Sequence, residues 1–163
     1  MKNQRYENAE KILIVEDSAI QAETLRRLLS ENGYKVILAN SGYEGLTMAR
    51  KERPDLIISD IVMPEMDGYE MCRKLKDDET LKMIPLILLT QLTEPEEVIM
   101  GLESGADHYL TKPFDKEHLL NKVALLLKDP DIYRNNPEKG AVEFEYKGKH
   151  FEVHSGRVPI KAL

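Results

Sequence analysis

Short apolar runs alternate with amphipathic stretches along most of the chain. The strand-like runs fall at 11–16, 35–39, 56–60, 86–90 and 108–111. Stretches with helical periodicity lie between and after them, at 18–32, 41–52, 67–77, 93–104 and 115–128. Regular alternation of strands and helices predicts βαβ units, and therefore a parallel sheet covered by helices.

The apolar content of each run indicates its place in that sheet. Runs 11–16, 56–60 and 86–90 are almost continuously apolar, which is typical of central strands covered on both faces. Run 35–39 is short and follows a polar turn, which suits an edge. Run 108–111 is diluted by His108 and Thr111, so we interpret it as the other edge.

Capping signals support the predicted helices. An N-cap residue is followed three positions later by Glu or Gln in Ser18/Gln21, Ser41/Glu44, Asp67/Glu70 and Thr93/Glu96. Asp115 is the expected N-cap of the last helix, and Gly33 is the expected glycine after the first.

The pattern changes after Lys128. We predict an N-terminal tail at 1–10 and one domain at 11–128. A linker with Pro, Asn and Gly follows at 129–140. At 141–155, two short strands alternate strictly between apolar and polar residues. The alternating part predicts a β-hairpin extension, and 156–163 is a tail or the start of a truncated segment. An isolated hairpin is marginal in water. Its apolar face must therefore pack on the last helix or on a second copy of the chain.

Composition narrows the function classes. The net charge of −6 is unfavourable for binding nucleic acid through phosphate contacts. No apolar stretch reaches the length of a membrane span, and the polar N-terminus leads into no signal-like segment. The single cysteine, Cys72, excludes an internal disulfide and suits a reducing cytoplasm. We therefore expect a cytoplasmic location.

Polar side chains stand where the predicted strands end. Asp60, Thr90 and Lys112 end or follow three of the runs, and the pair Glu16–Asp17 ends a fourth. An open α/β sheet places its ligand site at the carboxyl edge of its strands. We expect these five side chains to converge there.

Their chemistry indicates a magnesium-dependent phosphoryl site. Clustered carboxylates repel one another, and a hard divalent cation relieves that repulsion; oxygen ligands with water suit Mg²⁺. The histidines (His108, His118, His150 and His154) are dispersed and form no zinc pattern. A lysine and a hydroxyl beside a carboxylate can stabilise a phosphoryl group, and the carboxylate can itself be the nucleophile. Asp60 is the candidate nucleophile, and the main-chain carbonyl of Val62 is a further candidate metal ligand.

These residues resemble the receiver domain of two-component response regulators. The matching segments are Ile12–Ser18, Ser59–Gly68, Leu88–Thr90 and Gly105–Phe114, and the spacing of Asp60, Thr90 and Lys112 matches as well. The resemblance covers about residues 10–128. It implies a flavodoxin-like α/β fold whose five parallel strands lie in the order 2-1-3-4-5.

The resemblance also implies roles for single residues. By this resemblance, Asp60 is the phosphoacceptor, and Glu16 and Asp17 are the acid pair that binds Mg²⁺. Thr90 and Lys112 bind the phosphoryl group, and Tyr109 turns inward when Thr90 moves. The Lys112–Pro113 peptide bond is expected to be cis. The implied phosphodonor is the phosphohistidine of a histidine kinase or phosphotransfer protein. The domain is then a switch, and not an enzyme acting on a separate substrate.

Two features depart from a minimal receiver. The residue after the switch threonine is usually small in this family, whereas here it is Gln91, a candidate modulator of phosphoryl lifetime. The hairpin at 141–155 is additional, and it resembles N-terminal receivers fused to hybrid histidine kinases. We expect a fragment of such a protein, dimerising through the hairpin or through the face formed by 93–104, 108–111 and 115–128.

Other functions remain open from the residues alone. An aspartyl-nucleophile phosphatase of related fold needs a second acid two positions after Asp60, where Val62 stands. A flavin carrier needs a phosphate-cradling loop in place of the acidic Glu16–Asp17. A receiver-like adaptor that is never phosphorylated needs none of the five site residues.

Overall fold

The computed structural model describes residues 8–91, 103–130, 141–146, 149–154 and 161–162. In chain order the elements of the main domain are β1 (Lys11–Val15), α1 (Ala19–Glu31), β2 (Lys35–Ala39), α2 (Gly42–Glu52), β3 (Leu56–Asp60), α3 (Gly68–Asp77), β4 (Leu86–Thr90), β5 (His108–Thr111) and α4 (Lys116–Lys128). These bounds confirm the predicted strands and helices to within one residue at either end. The helix predicted over 93–104 lies almost wholly outside the described residues.

The five strands form one parallel sheet in the order β2-β1-β3-β4-β5. The predicted α/β fold is therefore confirmed, with β2 and β5 at the edges. The register pairs Val15 with Ser59, Ser59 with Leu88, and Leu88 with Tyr109. The carboxyl ends of β1, β3, β4 and β5 consequently lie side by side.

Side-chain alternation along the strands divides the core between the two faces of the sheet. In β1, Leu13 and Val15 belong to the buried cluster that includes residues of α2 and α3. Ile12 and Ile14 belong to the opposite cluster, with residues of α1 and α4. Both faces of the sheet are thus covered, which explains why its central strands are apolar at most positions.

The four described helices begin where their capping signals predict, and the signal Thr93/Glu96 lies outside the described residues. The side-chain oxygens of the N-caps accept backbone hydrogen bonds in the pairs Ser18–Gln21 (3.3 Å), Ser41–Glu44 (3.1 Å), Asp67–Glu70 (2.8 Å) and Asp115–His118 (3.1 Å). After α1 the chain turns at Gly33, whose φ of 91° is easily adopted by glycine. These caps set the direction in which each helix leaves the carboxyl edge of the sheet.

The C-terminal extension contributes a separate sheet in the order β6-β7-β8, with β6 at Ala141–Tyr146, β7 at Lys149–His154 and β8 at Lys161–Ala162. β6 and β7 are antiparallel, with Phe144 opposite Phe151. The short strand β8 pairs with β7 and was not anticipated from the sequence. Of the linker predicted at 129–140, residues 131–140 lie outside the described residues. The function of the extension stays a prediction.

Candidate functional site

The carboxyl edge of the sheet gathers the polar side chains singled out from the sequence. Asp60 and Thr90 are the last residues of β3 and β4, Glu16 and Asp17 follow β1, and Lys112 follows β5. Each stands at the carboxyl edge because its strand ends there and the chain turns away.

Three acids form the centre of the site. Glu16, Asp17 and Asp60 each offer a carboxylate oxygen, and these oxygens lie within 4.8 Å of one another. Glu16 is buried, Asp60 is half-buried and Asp17 is exposed. Such oxygens are the hard ligands that Mg²⁺ prefers, and the exposed side at Asp17 leaves room for the water that Mg²⁺ retains. The residues present therefore fit a magnesium ion.

Burial makes Glu16 harder to ionise than an exposed glutamate. Loss of solvent raises the pKa of its carboxyl above the usual value, and the neighbouring charge of Asp60 adds to that rise. The Ser18 backbone N–H, which donates to Glu16 Oε1 at 3.1 Å, and the Lys112 ammonium oppose it. A divalent cation would act in the same direction as Lys112 and favour the ionised form.

Lys112 is the cation closest to these acids among the described residues. Its Nζ lies 3.3 Å from Asp60 Oδ1 and 3.5 Å from Glu16 Oε2. Its backbone N–H donates to the Thr90 carbonyl at 2.6 Å, and the Lys112–Pro113 peptide bond is cis. One ammonium facing several carboxylates leaves the cluster with excess negative charge.

A further contact at Lys112 was missed from the sequence. Lys112 Nζ also donates a hydrogen bond to Gln21 Oε1 at 2.8 Å, and Gln21 lies 91 positions earlier in the chain. In the sequence Gln21 carries only a capping signal, and no local pattern connects it with a lysine after β5. Its amide helps to hold the ammonium at the mouth of the site.

The backbone after Asp60 is packed tightly. Asp60 Oδ1 accepts from the Ile61 N–H at 2.9 Å, and the Gly68 N–H donates to the Ile61 carbonyl at 2.8 Å. A Cβ on Gly68 would lie 2.4 Å from the Asp60 carbonyl oxygen, so only glycine allows this approach. This role of Gly68 was also missed, since a glycine following an N-cap carries no signal of a distant contact.

The remaining candidates lie around this centre. Thr90 is buried at the end of β4, and Tyr109 is buried on β5 next to it. Val62 is exposed, just after Asp60. Gln91 is exposed and lines a groove of about 580 Å³ together with Gln21 and Lys112. The structure thus places all the predicted residues at or near one site, and their functional roles stay predictions.

The described part of the chain contains no helix that is both long and apolar enough to traverse a bilayer. The four described helices of the main domain pack their apolar faces on the sheet.

Comparison with known proteins finds a family model and relatives that match this chain. Residues 12–124 match the family model of the response regulator receiver domain. The chain is 43% identical over 131 residues to the response regulator MprA of Mycobacterium leprae. The matched region covers 80% of this chain and 54% of that protein. It thus spans about half the length of the curated relatives it matches.

Solved structures agree. The receiver domain of a signal transduction histidine kinase from Syntrophus aciditrophicus is 49% identical, with a TM-score of 0.71 over 74% of this chain and 91% of that one. The receiver domain of the sensor histidine kinase PA1611 from Pseudomonas aeruginosa is 28% identical, with a TM-score of 0.70 over 74% of this chain and 99% of that one. The latter structure is described as having a magnesium ion coordinated in its active site cleft.

Proposed function

The chain belongs to the response regulator receiver domain family, and from this premise we propose that it is a phosphorylation-dependent switch whose phosphoacceptor is Asp60. The observation that carries the proposal is the meeting of Glu16, Asp17 and Asp60 within 4.8 Å, with Lys112 Nζ 3.3 Å from Asp60. A carboxylate nucleophile, a metal-binding acid pair and a cation are the parts that phosphoryl transfer to an aspartate requires.

In the proposed reaction an oxygen of Asp60 attacks the phosphorus of a phosphohistidine. The phosphorus–nitrogen bond breaks, the imidazole leaves, and an acyl phosphate remains on Asp60. Glu16, Asp17, Asp60 and the main-chain carbonyl of Val62 would hold a magnesium ion. When bound, that ion neutralises charge on the transferred group.

Lys112 and Thr90 respond to the new charge. Before transfer the Lys112 ammonium lies between Asp60 and Glu16, and the added phosphoryl oxygens offer it a stronger partner. Thr90 ends the strand beside β3 and would turn its hydroxyl toward the same oxygens. Tyr109, on the next strand and already buried, would move further into the space that Thr90 leaves. Phosphorylation would thereby bias a two-state surface around β5.

The proposed phosphodonor is a histidine kinase or phosphotransfer protein in the cytoplasm. The resemblance to the receiver of a histidine kinase supports a hybrid kinase as the parent protein. Gln91, exposed at the groove beside Lys112, would slow or orient the water that hydrolyses the acyl phosphate. We propose no binding of nucleic acid by these residues, since their net charge is negative.

The decisive experiment is phosphorylation with acetyl phosphate and Mg²⁺, followed by intact-protein mass spectrometry. The parent chain should gain one phosphoryl group, and Asp60→Asn should gain none because its amide is not a nucleophile. Asp77→Asn is the matched control, since Asp77 is an exposed carboxylate at the end of α3. It should be labelled as well as the parent.

Labelling of Asp60→Asn at the parent's rate would refute Asp60 as the acceptor. A parent that gains no phosphoryl group and shows no spectral response to beryllofluoride would support the adaptor alternative. Steady release of phosphate from small phosphomonoesters, far beyond one turnover, would instead favour the phosphatase alternative.

A further inference from the structure

Two buried tyrosines from distant parts of the chain are in contact. The hydroxyl oxygens of Tyr69 and Tyr109 lie 2.9 Å apart, within hydrogen-bonding distance. The side chains are nearly inaccessible, Tyr69 being 5% exposed and Tyr109 3% exposed. A hydroxyl can donate and accept, so this contact gives each group a hydrogen-bond partner where water is excluded. The ring of Tyr109 is therefore held in the inward position.

Tyr69 stands on a rigid support. It is the second residue of α3, whose start is capped by Asp67 and whose first residue, Gly68, packs directly on the Asp60 carbonyl. The Gly68 N–H also donates to the Ile61 carbonyl. Displacing the Tyr69 ring would thus disturb the backbone that presents the phosphoacceptor. Tyr109 is the partner with more freedom, because it lies on the edge strand β5.

We propose that Tyr69 is a positioning residue that holds Tyr109 inward before phosphorylation. This inference rests on the proposed function, in which the inward tyrosine accompanies the phosphorylated state. The Tyr69 hydroxyl stabilises the inward position of Tyr109 even when no phosphoryl group is present, so the unphosphorylated protein already resembles the phosphorylated state at this residue. A ligand shifts a two-state equilibrium only by its differential affinity for the two states. Before phosphorylation, the equilibrium between the outward and inward positions of Tyr109 is therefore already shifted toward the inward position.

The expected effect of one hydroxyl is measurable. A buried hydrogen bond of this kind favours its conformation by roughly two- to tenfold in population. Tyr69→Phe keeps the ring, and with it the packing of α3 on the sheet, but removes the hydroxyl that contacts Tyr109. Tyr109 would then lose one of the contacts that stabilise its buried position, so the fraction of molecules with its ring turned toward solvent would rise.

The test measures the solvent accessibility of the Tyr109 ring. Tyrosine rings are labelled with carbon-13, the Tyr109 signals are assigned by their loss in Tyr109→Phe, and a soluble nitroxide is added to broaden exposed rings. Spectra are recorded with Mg²⁺ alone and with Mg²⁺ plus beryllofluoride. Tyr43→Phe is the control, because Tyr43 is 57% exposed at the start of α2. Thermal melts check that every variant is folded.

In the parent and in Tyr43→Phe, the Tyr109 signals should be protected under both conditions. In Tyr69→Phe, their broadening by nitroxide should rise roughly two- to tenfold with Mg²⁺ alone and return to the parent's level with beryllofluoride. Equal protection of Tyr109 in Tyr69→Phe and the parent, with Mg²⁺ alone, would overturn the proposal.

Failure of the proposed function would look different. Beryllofluoride would then leave the site resonances of the parent unchanged, whatever the state of Tyr109. A parent that binds beryllofluoride but whose Tyr109 is already accessible with Mg²⁺ alone would retain the proposed function and lose the role of Tyr69.

Discussion

Lys112 illustrates how strongly one side chain depends on its surroundings. Its ammonium faces Asp60, Glu16 and the amide oxygen of Gln21, and it is mostly buried. A single positive charge does not balance the acids, so the site attracts further cations. A lysine that bridges two carboxylates is also ready to move once one of them changes charge. The chemistry of these residues is thus consistent with both the proposed metal binding and the proposed switch.

His108 provides a test of burial at the residue scale. It is buried on β5, and loss of solvent, reinforced by the charges of Lys122 and His118, lowers the pKa of its imidazole to about 3. The unfolded chain takes up the proton near pH 6.5. The stabilising contribution of neutral His108 is therefore full above pH 6.5 and is lost as the pH falls toward about 3.

We expect His108→Phe to flatten the dependence of stability on pH. Between pH 6.5 and 4, the free energy of unfolding of the parent should fall more steeply than that of the variant, by up to about 1.4 kcal/mol per pH unit. Urea denaturation at several pH values measures this. His118→Gln is the control: His118 is exposed, and its charge is the smallest of the three causes that lower the pKa of His108, so this variant should keep most of the parent's slope. Parallel slopes for parent and His108→Phe would contradict the buried, neutral imidazole.

The residues that could be predicted from the sequence share one property. Asp60, Thr90 and Lys112 end apolar runs, so their positions follow from local pattern once the strands are taken as parallel. Gln21 and Gly68 act through contacts that local pattern does not encode. Gln21 reaches a lysine 91 positions away, and Gly68 packs on the carbonyl of Asp60, at the end of β3.

At the scale of elements, helix caps could be predicted from the sequence, whereas ion pairs between distant elements could not. An N-cap and its partner are three residues apart, whereas Lys76 of α3 and Asp107 before β5 are 31 apart. Lys76 Nζ lies 2.8 Å from Asp107 Oδ2 and also donates to the carbonyls of Lys82 and Ile84. Asp107 in turn accepts from the N–H of Leu86. This cluster ties α3 to the starts of β4 and β5.

We expect Lys76→Met to destabilise the domain by about 3–5 kcal/mol, because it leaves the carboxylate of Asp107 buried without its cation. The side chains are only 17% and 4% exposed, so solvent cannot replace the lost partner. Lys82→Met is the matched control: its pair with Glu79 is solvent-exposed, and its loss should cost at most about 1 kcal/mol. Chemical denaturation compares the two. Similar losses for both variants would show that the Lys76 pair is no anchor.

At the scale of the whole molecule, the two buried clusters decide which part of the chain folds alone. Both draw their residues from positions 12–127, and the family match ends at residue 124. A domain with its own core on each face of the sheet needs no support from the extension. The extension, in contrast, consists of strands β6, β7 and β8, and such a small sheet is marginal unless something covers it.

We therefore expect truncation after Pro130 to leave the urea midpoint and the labelling by acetyl phosphate unchanged, and to abolish dimerisation. In the sequence, Phe144, Tyr146, Phe151 and Val153 give the extension one apolar face, which a second copy of the chain would bury. Analytical ultracentrifugation should find dimers of the full chain and monomers of residues 1–130. If both chains are monomers, the extension folds back on its own domain. If both are dimers, the interface lies on the receiver domain itself, where the surface around β5 and α4 would couple association to phosphorylation.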